Sequence, residues 1–562
     1  MAAKEVVSGR LVKLWRDQLG PIPPFAINDQ TLFVAYVAQA ELGCFLELGW
    51  PLPTRIIDLY GEFKIISNGW HSVGGKGLLG AMSWYSIPGI SKEEKKSNRD
   101  LVLRGGPWTH SEQQEILDYC QSDVDPLPPL LMAMLPSIMA TPEGLGQAHL
   151  RGRYTAAVAH MERSGIPIDS ETLVAIQDGW DMIKTQLIDE VDSQYGVFDH
   201  GHFRDGLFAR YLFDQNIPWP RTDTGLLKVD DDTFSDMTKI YPQLEPLKDL
   251  RHALGQMRLA DLAVGKDGRN RTSLWPFTAS TGRNAPSSKK YIFGPSVWLR
   301  RLIKPEPGRA TAYIDYGSQE IAIAAALSGD HFLAESITTG DPYMHFAILA
   351  GLAPEGATKA THKDTRALCK QTLLGTQYGM GARTLAFRTG KKVVEAQAML
   401  DLLARTYPIF AEWRQAEVDT ALLRGYMATN YGWMIHLTNN IRPTALKNFP
   451  MQAHGAEMLQ IACCLAIERG VRVIAPVHDA LMIESSIDQI DNAIKITRGA
   501  MAEAAAAVIG TGVWIDTDVN ITRYPDRYRD SDDRGQAMWV RVNSLLGRLG
   551  KIPDYRNMRA IY

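Results

Sequence analysis

The spacing of apolar positions changes character along this chain. In the first 125 or so residues, short apolar runs alternate with turns. LFVAYVA (Leu32–Ala38) and RIIDLYG (Arg55–Gly61) each predict a buried strand or helix. NGWHSVGGKGLLGAM (Asn68–Met82) is glycine-rich and predicts a loop leading into a helix, and DVDPLPPLLMAMLPS (Asp123–Ser137) predicts a connector followed by a packing helix. From about residue 150 the period becomes helical: YTAAVAHMERSG, ETLVAIQDGWDMIKTQLIDEVDSQYG and PQLEPLKDLRHALGQMRLADL (Pro242–Leu262) predict long helices to about residue 265. TAYIDY (Thr311–Tyr316) then predicts a buried strand, and EIAIAAALS a helix. One long helix is expected over Thr361–Gly390, and strand, tight turn, strand over VRVIAPVHDALMIES (Val471–Ser485). The charged, aromatic tail after Pro525 predicts a short helix that packs back or contacts a partner.

With 562 residues the chain has room for three to four domains of about 150 residues. Its 45% apolar and 22% charged residues are ordinary globular composition and exclude a disordered or fibrous chain. The 5 cysteines form no CxxC pair, which argues against a zinc ribbon or a disulfide scaffold and for a reducing, cytoplasmic setting. Neither a signal peptide nor a bilayer-spanning run is expected. The net charge of -3 neither supports nor excludes nucleic-acid binding, so local charge matters more. From Asp267 to Arg309 the balance turns basic (Arg269, Arg271, Arg283, Lys289, Lys290, Arg300, Arg301, Lys304 and Arg309), with Tyr291, Phe293 and Trp298 interleaved. Such a stretch fits a surface tracking a phosphate backbone or, equally, a solvated face.

The candidate chemistry lies in three places. Asp315 stands near the end of a buried strand, where an unpaired carboxylate is costly, and Glu320 follows at the start of a helix. His478 and Asp479 sit at a hairpin turn. Arg366, Lys370, Leu374 and Tyr378 recur every four residues and share one slowly drifting helical stripe. Two cations, one apolar group and a ring suit a triphosphate at one end and a base or sugar at the other. Any one of these is more commonly a cap, a turn or a solvated face. In combination, two carboxylates from separate strands can hold two divalent cations for in-line phosphoryl displacement.

These segments resemble the family A DNA polymerases, the group of bacterial DNA polymerase I and related phage enzymes. DYGSQE is similar to motif A (usually DYSQIE), Arg366-x3-Lys370-x7-Tyr378-Gly379 to motif B, and Val477-His478-Asp479 to motif C. TGRNAPS (Thr281–Ser287), DPYMHFA with His345, and NFPMQAHGAEM with Asn448 and Gln452 follow the family order over about residues 150 to 525. HMERSGIPID (His160–Asp169) resembles the entry to the polymerase region. The resemblance implies an α/β (α+β) right-hand fold: thumb about 170–270, palm about 271–340 and 425–562, fingers about 341–424. It implies that Asp315, Asp479 and the Tyr316 carbonyl bind two Mg2+ ions, with Mn2+ a substitute. Arg366, Lys370 and His345 would grip the triphosphate, with Lys370 also placed to protonate pyrophosphate. Glu320, Tyr378 and Leu374 would line the nucleotide site. Arg283, Asn284, Asn448, Gln452 and His478 would contact primer-template DNA; Arg283 and Gln452 would test pair geometry at minor-groove acceptors, which carry little sequence information. A bulky Glu320 packed on Tyr378 would exclude a ribose 2'-OH, which separates this chain from single-subunit RNA polymerases. Leu374 replaces the family's Phe or Tyr, and Ala480 its Glu.

Residues 1–140 resemble the family's 3'-5' exonuclease domain. Tyr119-x3-Asp123 is similar to its third motif, and Glu41 and Asp58 stand in for the middle acids. No Asp-x-Glu pair occurs before Phe25, so the chain is expected to lack the first motif and proofreading with it. A DNA-templated DNA polymerase is therefore expected, acting as a monomer on primer-template DNA and dNTPs, with replisome proteins as further partners. A catalytically idle template-primer binder is the alternative from another class.

Overall fold

The computed structural model describes residues 1–550 apart from 90–91, 223, 257–260, 439–440, 531–534 and 549. Its centre is a four-stranded antiparallel sheet in the order Arg472–Val477, Ala480–Ser486, Arg309–Tyr316, Thr517–Arg523. The central strand alternates as a half-exposed strand should. Ala310, Ala312, Ile314 and Tyr316 are buried on one face. There Tyr316 donates its hydroxyl to the Met501 carbonyl of helix Ile490–Ile509 at 2.7 Å. The period of two leaves Asp315 on the opposite face. The sequence-predicted hairpin is present, and His478 makes its tight turn at φ +57°.

The helices expected from residue 150 onward are present as Gly144–Ser164, Ser170–Asp192, Asp205–Asp214, Asp231–Ile240 and Glu245–Gln256. The last stretch of that expectation, 257–260, lies outside the described residues. The single helix expected over Thr361–Gly390 is two, Lys363–Gln377 and Ala382–Thr389. Gly379 causes the break: it adopts φ +72°, and a Cβ there would stand 2.9 Å from Thr444 Cβ. Only glycine turns the chain at that point without collision.

Toward the N-terminus, strand Phe33–Ala35 pairs in parallel with Ile56–Asp58 across helix Gln39–Leu48. This unit has small apolar cores of its own, one around Phe63, Met134 and Leu130. Helix Gly144–Ser164 spans the junction, and its Arg151 forms a buried two-pronged ion pair with Glu62 at 2.7 and 2.8 Å. At the other end, helix Gln536–Arg548 packs back on the body, with Trp539 against Trp298 and Arg541 paired with Glu190. Residues 551–562 of that tail lie outside the described residues. Among the described residues no helix is long and apolar enough to cross a membrane.

Candidate active site

Strand register sets the acidic end of the sheet. Ala480 and Asp518 are the direct neighbours of Asp315, one on each side. Directly opposed residues of an antiparallel pair share a face, so Asp518 flanks Asp315 from the strand opposite the hairpin. The hairpin turn is tied to the same point, since the Tyr316 amide donates to the Asp479 carbonyl at 3.3 Å. Burial raises the Asp315 carboxyl to about 8, and the charges of Asp479 and then Asp518 add to the effect. Its Oδ1 is buried and has no hydrogen-bond partner. An orphaned carboxylate oxygen crowded by like charge is what a bound divalent cation would relieve. Among the described residues no three His, Cys, Asp or Glu side chains converge closely enough to hold an ion by themselves. A hard cation bound at this edge would therefore take most of its oxygen shell from outside these side chains. Asp518 was not anticipated from sequence. Only its register against a strand two hundred residues earlier brings it here.

Helix Lys363–Gln377 is joined to the chain that follows this strand, the Gln377 side-chain amide donating to the Glu320 carbonyl at 3.4 Å. Arg366 pairs with Asp341 at 2.6 Å, and Asp341 also caps helix Pro342–Leu349. The Tyr343 ring lies beneath both cations, 5.1 Å from the Arg366 guanidinium and 5.6 Å from Lys370 Nζ. Lys370 is exposed, and His345 on the next helix has a buried Nδ1 without a partner. Asp341 and Tyr343 are further missed residues, although the DPYMHFA segment carrying them was noted for His345. Leu374 is half-buried on the same helix, and Tyr378 caps its C-terminus.

Glu320 lies in the first turn of helix Gln319–Ser328, after Ser318 turns the chain at φ +56°. Its Oε1 accepts from the Tyr378 hydroxyl at 2.8 Å and from the Gln452 amide, and Gln452 also donates to Tyr378 at 3.2 Å. Burial raises the Glu320 carboxyl, and burial with Glu320 beside it pushes Tyr378 up to about 12. Three elements meet in this triad.

The basic tract proves mostly internal. Arg269 and Arg309 converge on the fully buried Glu484, Arg271 pairs with Asp267, Arg300 with Asp530 and Lys304 with Asp169. Among the described residues Arg283, Lys289 and Lys290 make no ion pair. Arg283 is close enough to lower the carboxyl of Glu320. Asn284 donates to the Tyr154 hydroxyl at 2.8 Å, and Asn448 has a buried carbonyl oxygen without a partner. His478 is exposed at the hairpin turn.

The N-terminal acids are placed differently. Asp58 is fully buried and caps helix Leu59–Ile66; its Oδ1 accepts from the Val37 and Tyr60 amides at 2.9 and 3.0 Å. Glu41 lies in the first turn of helix Gln39–Leu48; burial raises its carboxyl to about 8, and the charges of Asp58 and Asp123 add to the effect. Asp123 is bonded to Lys95 at 2.5 Å, and that ammonium also lies 5.9 Å from the Tyr119 ring centre.

The four-stranded antiparallel sheet that carries Asp315 and Asp479, set among helices, makes this a mixed α+β protein. The model of DNA polymerase family A matches residues 209–524, more than half of the chain, and the chain belongs to that family. It is 25% identical over 373 residues to the thermostable DNA polymerase I of Thermus thermophilus, covering 61% of this chain and 44% of that protein. It is also 25% identical over 303 residues to the DNA polymerase of Mycobacterium phage D29, covering 52% of this chain and 49% of that one. The chain thus spans less than half the length of these curated relatives. The fold matches the polymerase domain of Pol1 from M. smegmatis, solved with DNA primer-template and dNTP, at a TM-score of 0.66 and 21% identity, over 87% of this chain and 85% of that one.

Proposed function

We propose that the chain is a DNA-templated DNA polymerase. The observation that carries this reading is the Glu320–Tyr378–Gln452 triad, which ties the helix bearing Arg366 and Lys370 to the chain just after the strand of Asp315, itself beside Asp479. Asp315, Asp479 and the Tyr316 carbonyl fit two Mg2+ ions, with Mn2+ a workable substitute. Bound there, the metals would activate a primer 3'-OH and neutralise the triphosphate. Arg366 and Lys370 grip the phosphates, the Asp341 contact aims the guanidinium, and Tyr343 holds both stems from below. His345 reaches the same phosphates, and Lys370, exposed at its end of the stripe, is placed to give a proton to the leaving pyrophosphate. Tyr378 and Leu374 bound the nucleotide's base and sugar. Glu320, fixed by two hydrogen bonds, fills the space a 2'-OH would need. Arg283, Asn284, Asn448, Gln452 and His478 line the primer-template path.

The palm, fingers and thumb are taken as about 271–340 with 425–562, 341–424 and 170–270. The chain works as a cytoplasmic monomer, with replisome proteins as further partners. Little or no proofreading is expected of this chain, because Asp123 is bonded to Lys95 and one Asp58 oxygen is taken up by two backbone amides.

Primer extension in Mg2+ tests the main reading, comparing dNTPs with rNTPs and the native chain with Asp479→Ala. Extension by dNTPs alone, lost in the variant, is expected. Duplex binding without extension in either metal would leave the idle binder as the account, and equal use of rNTPs would favour an RNA polymerase.

A further inference from the structure

The segment delivering Arg283 and Asn284 is held in an unusual shape. Trp275 and Phe277 both adopt left-handed backbone, at φ +46° and +60°. For bulky residues that conformation persists only where the surroundings impose it. Phe277 is fully buried, and its ring rests on Gly61 of the N-terminal unit, where an added Cβ would come within 3.1 Å. The neighbouring Thr278 hydroxyl shares a 2.9 Å hydrogen bond with Tyr60. The chain then makes a tight hairpin. The Gly282 amide donates to Ala279 O at 2.9 Å, and the Ala279 amide to Arg283 O at 3.1 Å.

Inside that hairpin, the Ser280 carbonyl is pinned from two sides. Trp433 Nε1 donates to it at 2.8 Å and Asn68 Nδ2 at 2.7 Å. The same Asn68 side-chain amide donates to the Met434 carbonyl at 2.7 Å, while the Asn68 backbone carbonyl accepts from the His436 amide at 2.9 Å. Next to it, Trp70 stacks on His436 at 4.0 Å. Gly69, at φ +90°, lies so close that a Cβ would stand 2.1 Å from the His436 carbonyl oxygen. This contact is therefore specific in shape and donors, and it falls three residues before Arg283.

We propose that Asn68 is a positioning residue for Arg283: the N-terminal unit holds the Thr281–Ser287 loop in the conformation that tests the primer-template pair. The inference rests on the proposed DNA contact of Arg283. It gives this unit a part in base-pair selection that needs no nuclease chemistry. Ordinary domain adhesion is a separate matter, served by the Arg151–Glu62 pair.

The test is extension from matched and mismatched primer ends by the full chain, with thermal midpoints measured in parallel. Asn68→Ala should reduce the preference for matched ends about tenfold, the worth of one or two hydrogen bonds. Added to Arg283→Ala, it should reduce the preference no further, because both act through one contact. Trp70→Ala should act in the same direction more weakly, and it serves if Asn68→Ala folds poorly. Glu62→Gln should lower the thermal midpoint while keeping the native preference. Loss of selectivity in Arg283→Ala with none in Asn68→Ala or Trp70→Ala overturns the inference, as do additive effects of Asn68→Ala and Arg283→Ala. No effect from Arg283→Ala itself overturns the DNA contact, and the inference with it.

Discussion

Two sets of carboxylates in this molecule differ in burial and in neighbours. At the sheet edge, Asp315 keeps a buried oxygen unpaired while Asp479 and Asp518 press their charge upon it. In the N-terminal unit, Asp58 spends one oxygen on two backbone amides and keeps the other buried without a partner, and Asp123 is matched by a lysine. A carboxylate oxygen that accepts from two backbone amides and caps a helix serves the fold. A carboxyl raised to about 8 by burial and two neighbouring acids is one that a cation would return to the charged form. Sequence motifs alone treat the two sets alike, since each supplies acids at family-like spacing.

The sharpest way to break the contrast is to remove one acid from the sheet edge. Asp479→Ala should slow dNTP addition about 10³-fold or more, as befits a group acting on charge in the transition state. Single-turnover extension measures it. Retention of more than a tenth of the native rate would mean that Asp479 is no more a ligand than Asp58. Next in size is the triad. Glu320→Ala should erode the preference for dNTPs over rNTPs about 100-fold, the scale of discrimination a pocket wall supplies. An unchanged ratio of kcat/KM values would remove Glu320 from the sugar site.

How much of this was legible from the residues depended on how far each partner lay along the chain. Asp315 and Asp479 could be found because a strand and a hairpin each announce themselves within ten residues. The Glu320–Tyr378 contact could be expected only through the family resemblance, and Gln452 joining it was not expected, since the three come from elements joined by packing. The basic tract misled for the same reason. Its acidic partners Glu484, Asp530 and Asp169 lie more than a hundred residues away, so local charge counted as free what the fold neutralises. The break at Gly379 was obscured by the apolar spacing on both sides of it, and its cause, contact with Thr444, is again distant.

Asp518 extends the comparison to a position no motif marks. The chain has Ala480 beside Asp315 on one side and an acid beside it on the other. If Asp518 supplies the charge that Ala480 lacks, Asp518→Asn should raise the Mg2+ needed for half-maximal extension about tenfold. It should weaken Mn2+ binding, followed by electron paramagnetic resonance, by a similar factor. Ala480→Glu in the same background should restore both. Native metal affinity in Asp518→Asn would reduce Asp518 to a surface charge.

The smallest effect belongs to the other side of the contrast, and its sign distinguishes a cap from a ligand. Burial raises the Asp58 carboxyl from 3.8 to about 7, against the lowering pull of its backbone amides. Between those values the folded chain holds a proton that the unfolded chain has lost. Stability must therefore fall as pH rises through that window, by at most about 1.4 kcal/mol per pH unit for one group. Asp58→Asn keeps the Oδ1 that accepts from Val37 and Tyr60 and cannot ionise. The variant should lose this part of the slope between pH 4 and 7, and at pH 8 it should be at least as stable as the native chain. Chemical denaturation across the series reads both. If Asp58 were instead held ionised as a metal ligand, the amide would destabilise the chain at pH 8 whenever Mg2+ was present and leave it unaffected in chelator.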